Sequence, residues 1–520
     1  MKKCSKKKNY NRLLKAWQSL YISLGGTEQQ VPAEGTAKPL ISVVLIILFF
    51  FVFPPVGTAE KFQADSLLHL HTVYSSGNGT VEEVVAKARN TGDKILFLTD
   101  HDVIRMEYGI PPFRNILKKT VEQKSVNSIG PAKYLSEIKR VNSKYDDMII
   151  IPGVESTAHY FWTGSFFNDT LVSNNWHKHI TIIGLDTLEK YTALPVIHNG
   201  FSTSYIKELL PGFLPFIAAF ILSFVLYLKG EGTLRKIALA FMIISILFAI
   251  NYHPFKSSMF SQYDSDAELF PYQELIDYAE KSGALSIWAH PESNYEERKI
   301  DSINIYTPSH AEDLVRSQDY TGFEALYRDK SKMIESGKEW DTILLQYCNG
   351  ERKNPVWGVG GIDYHANGDE RIDEVETVLL IDTADTLNKN AVLDAIRKGH
   401  CYARRNGKEN KVILQDFTIG NTESETRYGM GELVKLTGNP ELSIKIGEKS
   451  GHTFPFNLEL IRNGRRIREI KGEAPYSEKF TDEPDKKEKG YYRLIIKTGK
   501  GDHIVSNPIF FDYARSTGGN

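Results

Sequence analysis

The chain has 520 residues, 25% of them charged, and a formal net charge of −2. That length allows more than one domain, and the near-neutral balance removes any bulk electrostatic case for a nucleic-acid partner. Its cysteines, Cys4, Cys348 and Cys401, make neither a disulfide framework nor a structural zinc site; at most Cys348 and Cys401 pair.

The leader carries Lys2, Lys3, Lys6, Lys7, Lys8, Arg12 and Lys15 and no acid through residue 20. The apolar run Pro39–Gly57 follows. A bilayer core takes about 20 mostly apolar helical residues, so this run is adequate, and the basic flank should stay cytoplasmic. Gly57, Thr58 and Ala59 offer a signal-peptidase site, but the long basic leader favours an uncleaved anchor.

Next comes LLHLHTVYSS, Leu67–Ser76. In a strand, residues two apart share a face, so His69 and His71 converge while Leu68 and Leu70 point the other way. Imidazole is the commonest metal ligand, but one H-x-H pair also occurs in ordinary strands. The pattern then recurs. KILFLTDHD ends in Asp100, His101 and Asp102, and DMIIIPGVEST ends in Glu155. HKHITIIGLD opens with His177 and His179; His177 shares a face with His179, which is preferred as a ligand because it directly opens the apolar run. GALSIWAHPES ends in His290, TGFEAL carries Glu324, and VWGVGGIDYHANG ends in Asp363 and His365. Amphipathic stretches such as TVEEVVAKARNTG separate several of these runs. Strand, helix, strand with a donor at the strand ends is how a β/α barrel gathers an active site on one face.

Between the His179 and His290 runs lie two further apolar stretches, Leu209–Leu228 and Ile237–Tyr252. They read as a transmembrane hairpin whose loop, with Lys229, Arg235 and Lys236, is cytoplasmic; a buried hairpin of a soluble protein is the alternative. Both flanking strands must lie on one side of the membrane to join one barrel, and two crossings satisfy that. The expected location is the plasma (inner) membrane, with the barrel on the external or periplasmic side and membrane lipid as a partner.

The motifs H-x-H-T (His69–Thr72), T-D-H (Thr99–His101), P-G-x-E (Pro152–Glu155), H-x-x-x-x-G (His179–Gly184), A-H-P (Ala289–Pro291) and G-x-D-x-H (Gly361–His365), in this order, resemble the PHP (polymerase and histidinol phosphatase) family over roughly residues 64 to 405 without the hairpin. The run LNKNAVLDAIRKGHCYA and the β-rich tail resemble its carbaryl-hydrolase-like branch. The resemblance implies an α/β fold, a distorted (β/α)7 barrel holding two or three divalent ions of manganese, zinc or iron. It implies that His69, His71, Glu155 and Asp363 hold one metal, that Glu155 bridges to a second held by His179 and His290, and that His101 and His365 face a third. Glu155, Asp363 and His101 are then the catalytic residues, with Asp100 and Asp102 orienting imidazoles. Ser76 stands where the family often writes an acid, and a hydroxyl is a poor transition-metal ligand, so two firmly held metals are expected.

Imidazole and carboxylate donors without thiolate suit these ions, and a bridging carboxylate suits a two-metal hydrolase with a metal-bridging hydroxide. A phosphoesterase acting on a small or envelope-linked substrate is the leading reading. An ester, amide or carbamate hydrolase and a non-catalytic metal-binding membrane module are the alternatives. Arg328, Arg404 and Arg405 could grip a phosphate or be surface charges. His253 reads as interfacial; His159, His198 and His400 as structural or solvated; His310, His452 and His503 as surface residues.

From about Asn406 the chain alternates in short runs, with Asn463-Gly464 as a hairpin signal, and a C-terminal β-sandwich is expected. The expected domains are residues 1–60 (leader and anchor), 61–205 and 254–405 (two parts of the barrel), 206–253 (hairpin) and 406–520 (sandwich).

Overall fold

A computed structural model describes residues 61–513, apart from 301–302, 329–331, 383–385, 408–411, 423–424, 449–452 and 500. The leader, the run Pro39–Gly57 and His452 lie outside the described residues.

The chain forms a mixed α/β structure around a 15-stranded sheet. Seven strands carry the candidate donors at or next to them. Lys61–Leu70, Ile95–Leu98 and Ile149–Ser156 pair in parallel, as do Leu285–Trp288, Gly322–Leu326 and Trp357–Gly360. Ile180–Ile183 sits between the two sets and runs antiparallel to both neighbours, Ile149–Ser156 and Leu285–Trp288. Strict alternation of parallel strands is therefore not what this sequence builds. The reversal has a consequence for the donors: His179 precedes its strand, and because Ser156 pairs with Ile180, that beginning meets the others' ends. Beyond Gly360 the chain bonds back to the first strand, Ile362 N to Leu68 O at 3.2 Å and Tyr364 N to His69 O at 3.0 Å.

The period-2 pattern sorts side chains to two buried faces. Leu68, Ile95, Phe97, Ile151, Ile183 and Ile287 pack in one cluster, with Val392 and Ile396 of helix Lys389–Arg397. Leu67, Leu70, Leu96, Leu98, Val154 and Ile182 pack in another, against the helices. Each fully buried side chain of this kind contributes roughly 1.5–3 kcal/mol. Leu68 and Leu70 do not share a face as expected. The pairing with Ile95–Leu98 shifts register between Leu67 and Leu70, and His69 has φ 70°, so alternation fails at that point. The helix after the first strand, Val81–Thr91, starts at a capping box in which Thr80 and Glu83 satisfy each other's backbone N–H.

Helices Ile206–Lys229 and Gly232–Asn251 are long and apolar enough to cross a membrane. Only 6% and 11% of their most apolar windows are buried, unlike the core helix of a soluble protein. They pack on each other through rings such as Phe216 and Phe248, 5.0 Å apart, and leave Ile221, Leu222, Leu228 and Phe241 exposed.

Past residue 405 the sheet continues without a break. Cys401–Arg405 pairs with His503–Ser506, which leads to Gly490–Thr498, Phe454–Arg462 and Arg465–Ala474. Asn463 and Gly464 turn the last hairpin, both at positive φ (50° and 77°), the geometry that a two-residue type I′ turn demands. A separate sheet, Val412–Asn421 with Pro440–Glu448 and Tyr476–Thr481, shares a buried apolar cluster with it through Phe417, Ile444, Leu458 and Leu494. Arg493 reaches from this tail to helix Glu339–Cys348, where its fork meets both oxygens of Asp341 at 2.7 Å with full burial. Breaking such a pair costs about 3–5 kcal/mol.

Cys348 and Cys401 are both free thiols, so the bridge is not made. His310 and His503 are not surface residues: they are 5% and 4% exposed. His310 is folded in beside Trp288, with ring centroids 5.7 Å apart, and His503 begins an interior strand, positions that polar flanking sequence conceals.

Candidate metal centre

Glu155 ends its strand 1% exposed and is faced by imidazoles on both carboxylate oxygens. His69 Nε2, His179 Nδ1 and His290 Nε2 lie 3.1, 2.6 and 3.0 Å from Oε1. His71 Nε2 and His101 Nε2 lie 3.2 and 3.3 Å from Oε2. Asp363 Oδ1 stands 3.5 Å from His69 Nε2 and 3.2 Å from His71 Nε2, while Tyr327 donates to Oδ2 at 3.1 Å. His365 stacks on His71 with centroids 4.5 Å apart and has Nδ1 2.8 Å from the Asp363 carbonyl. All eight sequence-selected donors thus gather in one place. His69, His290 and Asp363 hold φ of 70°, 32° and 54°, a conformation uncommon outside glycine that clusters at functional sites.

The surrounding bonds decide which ring nitrogens face inward. His69 Nδ1 lies 2.6 Å from Glu324 Oε1, which holds a proton on that nitrogen and leaves Nε2 as the one that would turn its lone pair to a cation. His71 Nδ1 lies 3.2 Å from Ser75 Oγ, whose hydroxyl donates to Asp100 at 2.7 Å; Asp100 therefore acts on the ring through Ser75. His179 is turned the other way, with Nε2 on the Trp176 carbonyl at 3.0 Å. Asp102 does not orient an imidazole. It takes the hydroxyl of Ser156 and the N–H of Val103, and burial raises its carboxyl to about 7.

These donors fit a divalent cation. His69 Nε2 and His71 Nε2 are buried and make no hydrogen bond, although carboxylate oxygens lie 3.1–3.5 Å away. Such separations suit donors each about 2.1 Å from a shared centre. The donor atoms of His69, His71, Glu155 and Asp363 lie within 4.8 Å of one another, as do those of His101, Glu155 and His179. The field points the same way. Burial opposes a charge on His71, yet Asp363 and Glu155 raise it to about 9; burial likewise opposes His69, which Glu155, Glu324 and Asp363 raise well above its usual value. Burial opposes ionisation of Glu155 and Asp363, but the imidazoles, His179 and His69 foremost, hold both well below the usual carboxylate range. His101 is pushed down by burial and stays neutral.

The centre opens into a cavity of about 520 Å³ lined by Trp176, His177, Tyr295, Tyr327 and Arg328 besides the donors. His177 lines the cavity and packs on Tyr295 at 4.3 Å. Ser76 lines the rim. Of the three candidate arginines only Arg328 lines this cavity; Arg404 is buried against Glu376 and Asp65. Glu324 is the residue whose role the sequence reading missed. Its strand, GFEAL, is buried throughout, and a carboxylate there requires partners, which was the available signal. Tyr295 and Tyr327 carry no local signal at all.

No family model matches the chain, and no curated protein matches it by sequence. Among solved structures it is similar to a two-domain protein containing a predicted PHP-like metal-dependent phosphoesterase from Bacteroides vulgatus, at 12% identity, with 86% of this chain and 95% of that chain covered and a TM-score of 0.33. It is also similar to an amidohydrolase from Chromobacterium violaceum, at 16% identity, 59% and 90% coverage and a TM-score of 0.27. Scores this low carry no argument, and the functional reading rests on the chain's own side chains.

Proposed function

We propose that this chain is a membrane-tethered, metal-dependent phosphoesterase of PHP type. One observation carries the reading: a single buried carboxylate, Glu155, is faced on both oxygens by inward-aimed imidazoles. The seven strands, bonded back onto the first, are the distorted barrel of that family, interrupted by the hairpin at 206–253 and followed by a β-sandwich from 406. Residues 1–60 are the leader and anchor, and the barrel lies outside the plasma membrane.

His69, His71, Glu155 and Asp363 would hold one ion, Glu155, His179 and His290 a second, and His101 and His365 would face a third. When bound, manganese, zinc or iron would supply Lewis acidity and lower the pKa of water toward neutrality. The chain's residues do the rest. Glu324 and Ser75 fix the tautomers of His69 and His71. Arg328, at the cavity, offers a planar fork to phosphate oxygens. His101, neutral and partly open to the cavity, can accept a proton from an incoming water.

A second reading, hydrolysis of a carbon ester, amide or carbamate, is favoured by the lining of the cavity, where Arg328 is the one lysine or arginine among the described residues and Val103, Ile104, Trp176, Tyr295 and Tyr327 stand beside the donors. The test is purified full chain in detergent with manganese, a phosphomonoester, a phosphodiester and an aryl carbamate. Turnover of either phosphate ester supports the proposal. Turnover of the carbamate alone moves the site to the second reading, and tight metal binding without any turnover makes it a binding module.

A further inference from the structure

A second cavity, about 360 Å³, adjoins the metal centre. Met106, Tyr108, Ile110, Leu117, Trp162 and Phe166 give it an apolar wall, and Met106 and Val121 line both cavities, so the two meet at that cross-strand pair. One side is the hairpin of Arg105–Gly109 and Lys118–Glu122. The tip of that hairpin is tied to the base of the apolar helix pair. Asn115 N donates to Asn251 Oδ1 at 2.8 Å, Asn115 Nδ2 donates to the Asn251 carbonyl at 2.7 Å, and the Phe113 ring lies 4.9 Å from Phe248. Phe248 and Asn251 form the last turn of Gly232–Asn251. The outer end of the groove is therefore held at the level where the apolar helices meet the folded domain. Its residues there are bare: Ile110, Leu117 and Phe166 are 44%, 56% and 54% exposed, and Lys119 stands at the rim. An apolar wall that runs from a lipid-level opening to the edge of the metal cavity matches an amphiphile lying along it.

We propose that the substrate is a membrane lipid bearing a phosphate ester, with its phosphate in the metal cavity and its hydrocarbon chain in the groove. The inference rests on the phosphoesterase reading above and adds the substrate class. Water supplies the oxygen that ends on phosphorus, the ester P–O bond breaks, and the alcohol oxygen left on the lipid takes the proton. Lys119 faces neighbouring anionic headgroups.

The test uses the full chain in nanodiscs with manganese and a series of alkyl phosphates from ethyl to octyl. Each methylene taken into the groove raises kcat/KM about fourfold until the groove is filled. Leu117→Glu and Phe166→Glu flatten that dependence. Equal kcat/KM along the series with ethyl phosphate turned over overturns the lipid assignment and leaves the phosphoesterase intact. A separate arm needs no turnover: a bromoalkyl phosphonate, added without metal, quenches a fluorescence component absent from Trp162→Phe and lost in Leu117→Glu. If no phosphate ester reacts, the phosphoesterase reading falls; absence of quenching overturns the groove's occupant whatever the activity.

Discussion

Glu324→Gln tests the arrangement of the centre more sharply than removal of any ligand. The carboxylate, 3% exposed, accepts from His69 Nδ1 at 2.6 Å through one oxygen and from His290 N at 2.7 Å through the other. Glutamine keeps the shape and one acceptor but turns an N–H2 toward one of the two donors. Either His69 loses the partner that fixes its proton on Nδ1, or the His290 backbone N–H is left buried and unpaired. The first outcome should weaken metal binding about 10–100-fold, equivalent to roughly 1.4–2.7 kcal/mol. The second should cost about 1–3 kcal/mol of stability. Calorimetric titration of manganese into metal-stripped protein, with thermal unfolding of the same sample, measures both. The expected result is a raised Kd with activity recovered at high manganese. An unchanged Kd together with an unchanged Tm would refute the claim that Glu324 organises the site.

Glu155→Ala should abolish hydrolysis and metal retention, while Ser76→Ala should leave both unchanged; metal analysis and a steady-state assay check this. Gly361→Ala places a Cβ 2.2 Å from Glu324 Oε1 and should lower metal affinity as Glu324→Gln does, with the double variant less than additive in the same titration. Arg328→Ala should raise KM for a phosphate ester about 10–100-fold with Arg328→Lys recovering part of it, measured by initial rates. Burial, reinforced by Lys497 and Arg405, pushes His503 down to about 3. The folded chain keeps it neutral while the unfolded chain takes up a proton below about 6.5, so its contribution is intact above that pH and is lost as pH falls toward 3. The loss should reach up to about 2 kcal/mol at pH 5, and His503→Gln should flatten the fall of Tm between pH 7 and 5.

Much of the donor set was legible because strand ends are locally encoded. Short β-rich runs closed by His, Asp or Glu mark where side chains leave the sheet, and the eight residues so marked all stand around Glu155 or on its neighbours. The two apolar stretches were legible for a similar reason, since length and lack of charge are properties of a segment alone; helix Ile206–Lys229 contains the first, and helix Gly232–Asn251 contains the second up to its C-cap, Tyr252. The Asn463-Gly464 turn was encoded in two residues.

Other features belong to pairs far apart in the chain. Whether Ile180–Ile183 runs with or against its neighbours depends on strands on either side of it, and that direction decides that His179, before its strand, meets donors that follow theirs. Period-2 reasoning carried His69 and His71 to the same face but misplaced Leu70, because alternation breaks at His69, whose φ is left-handed and whose carbonyl accepts from Tyr364 N. Glu324 has no meaning until His69 and His290 arrive, and Arg328 none until the cavity exists. The sequence by itself determined which side chains can hold a cation and which segments can leave water. Tertiary structure alone decided which nitrogen of each ring faces Glu155 and that an apolar cavity lies beside the metal cavity on the hairpin tied to the helix pair. Donor chemistry resides in single residues, whereas orientation and cavities are made by contacts between elements remote in the chain.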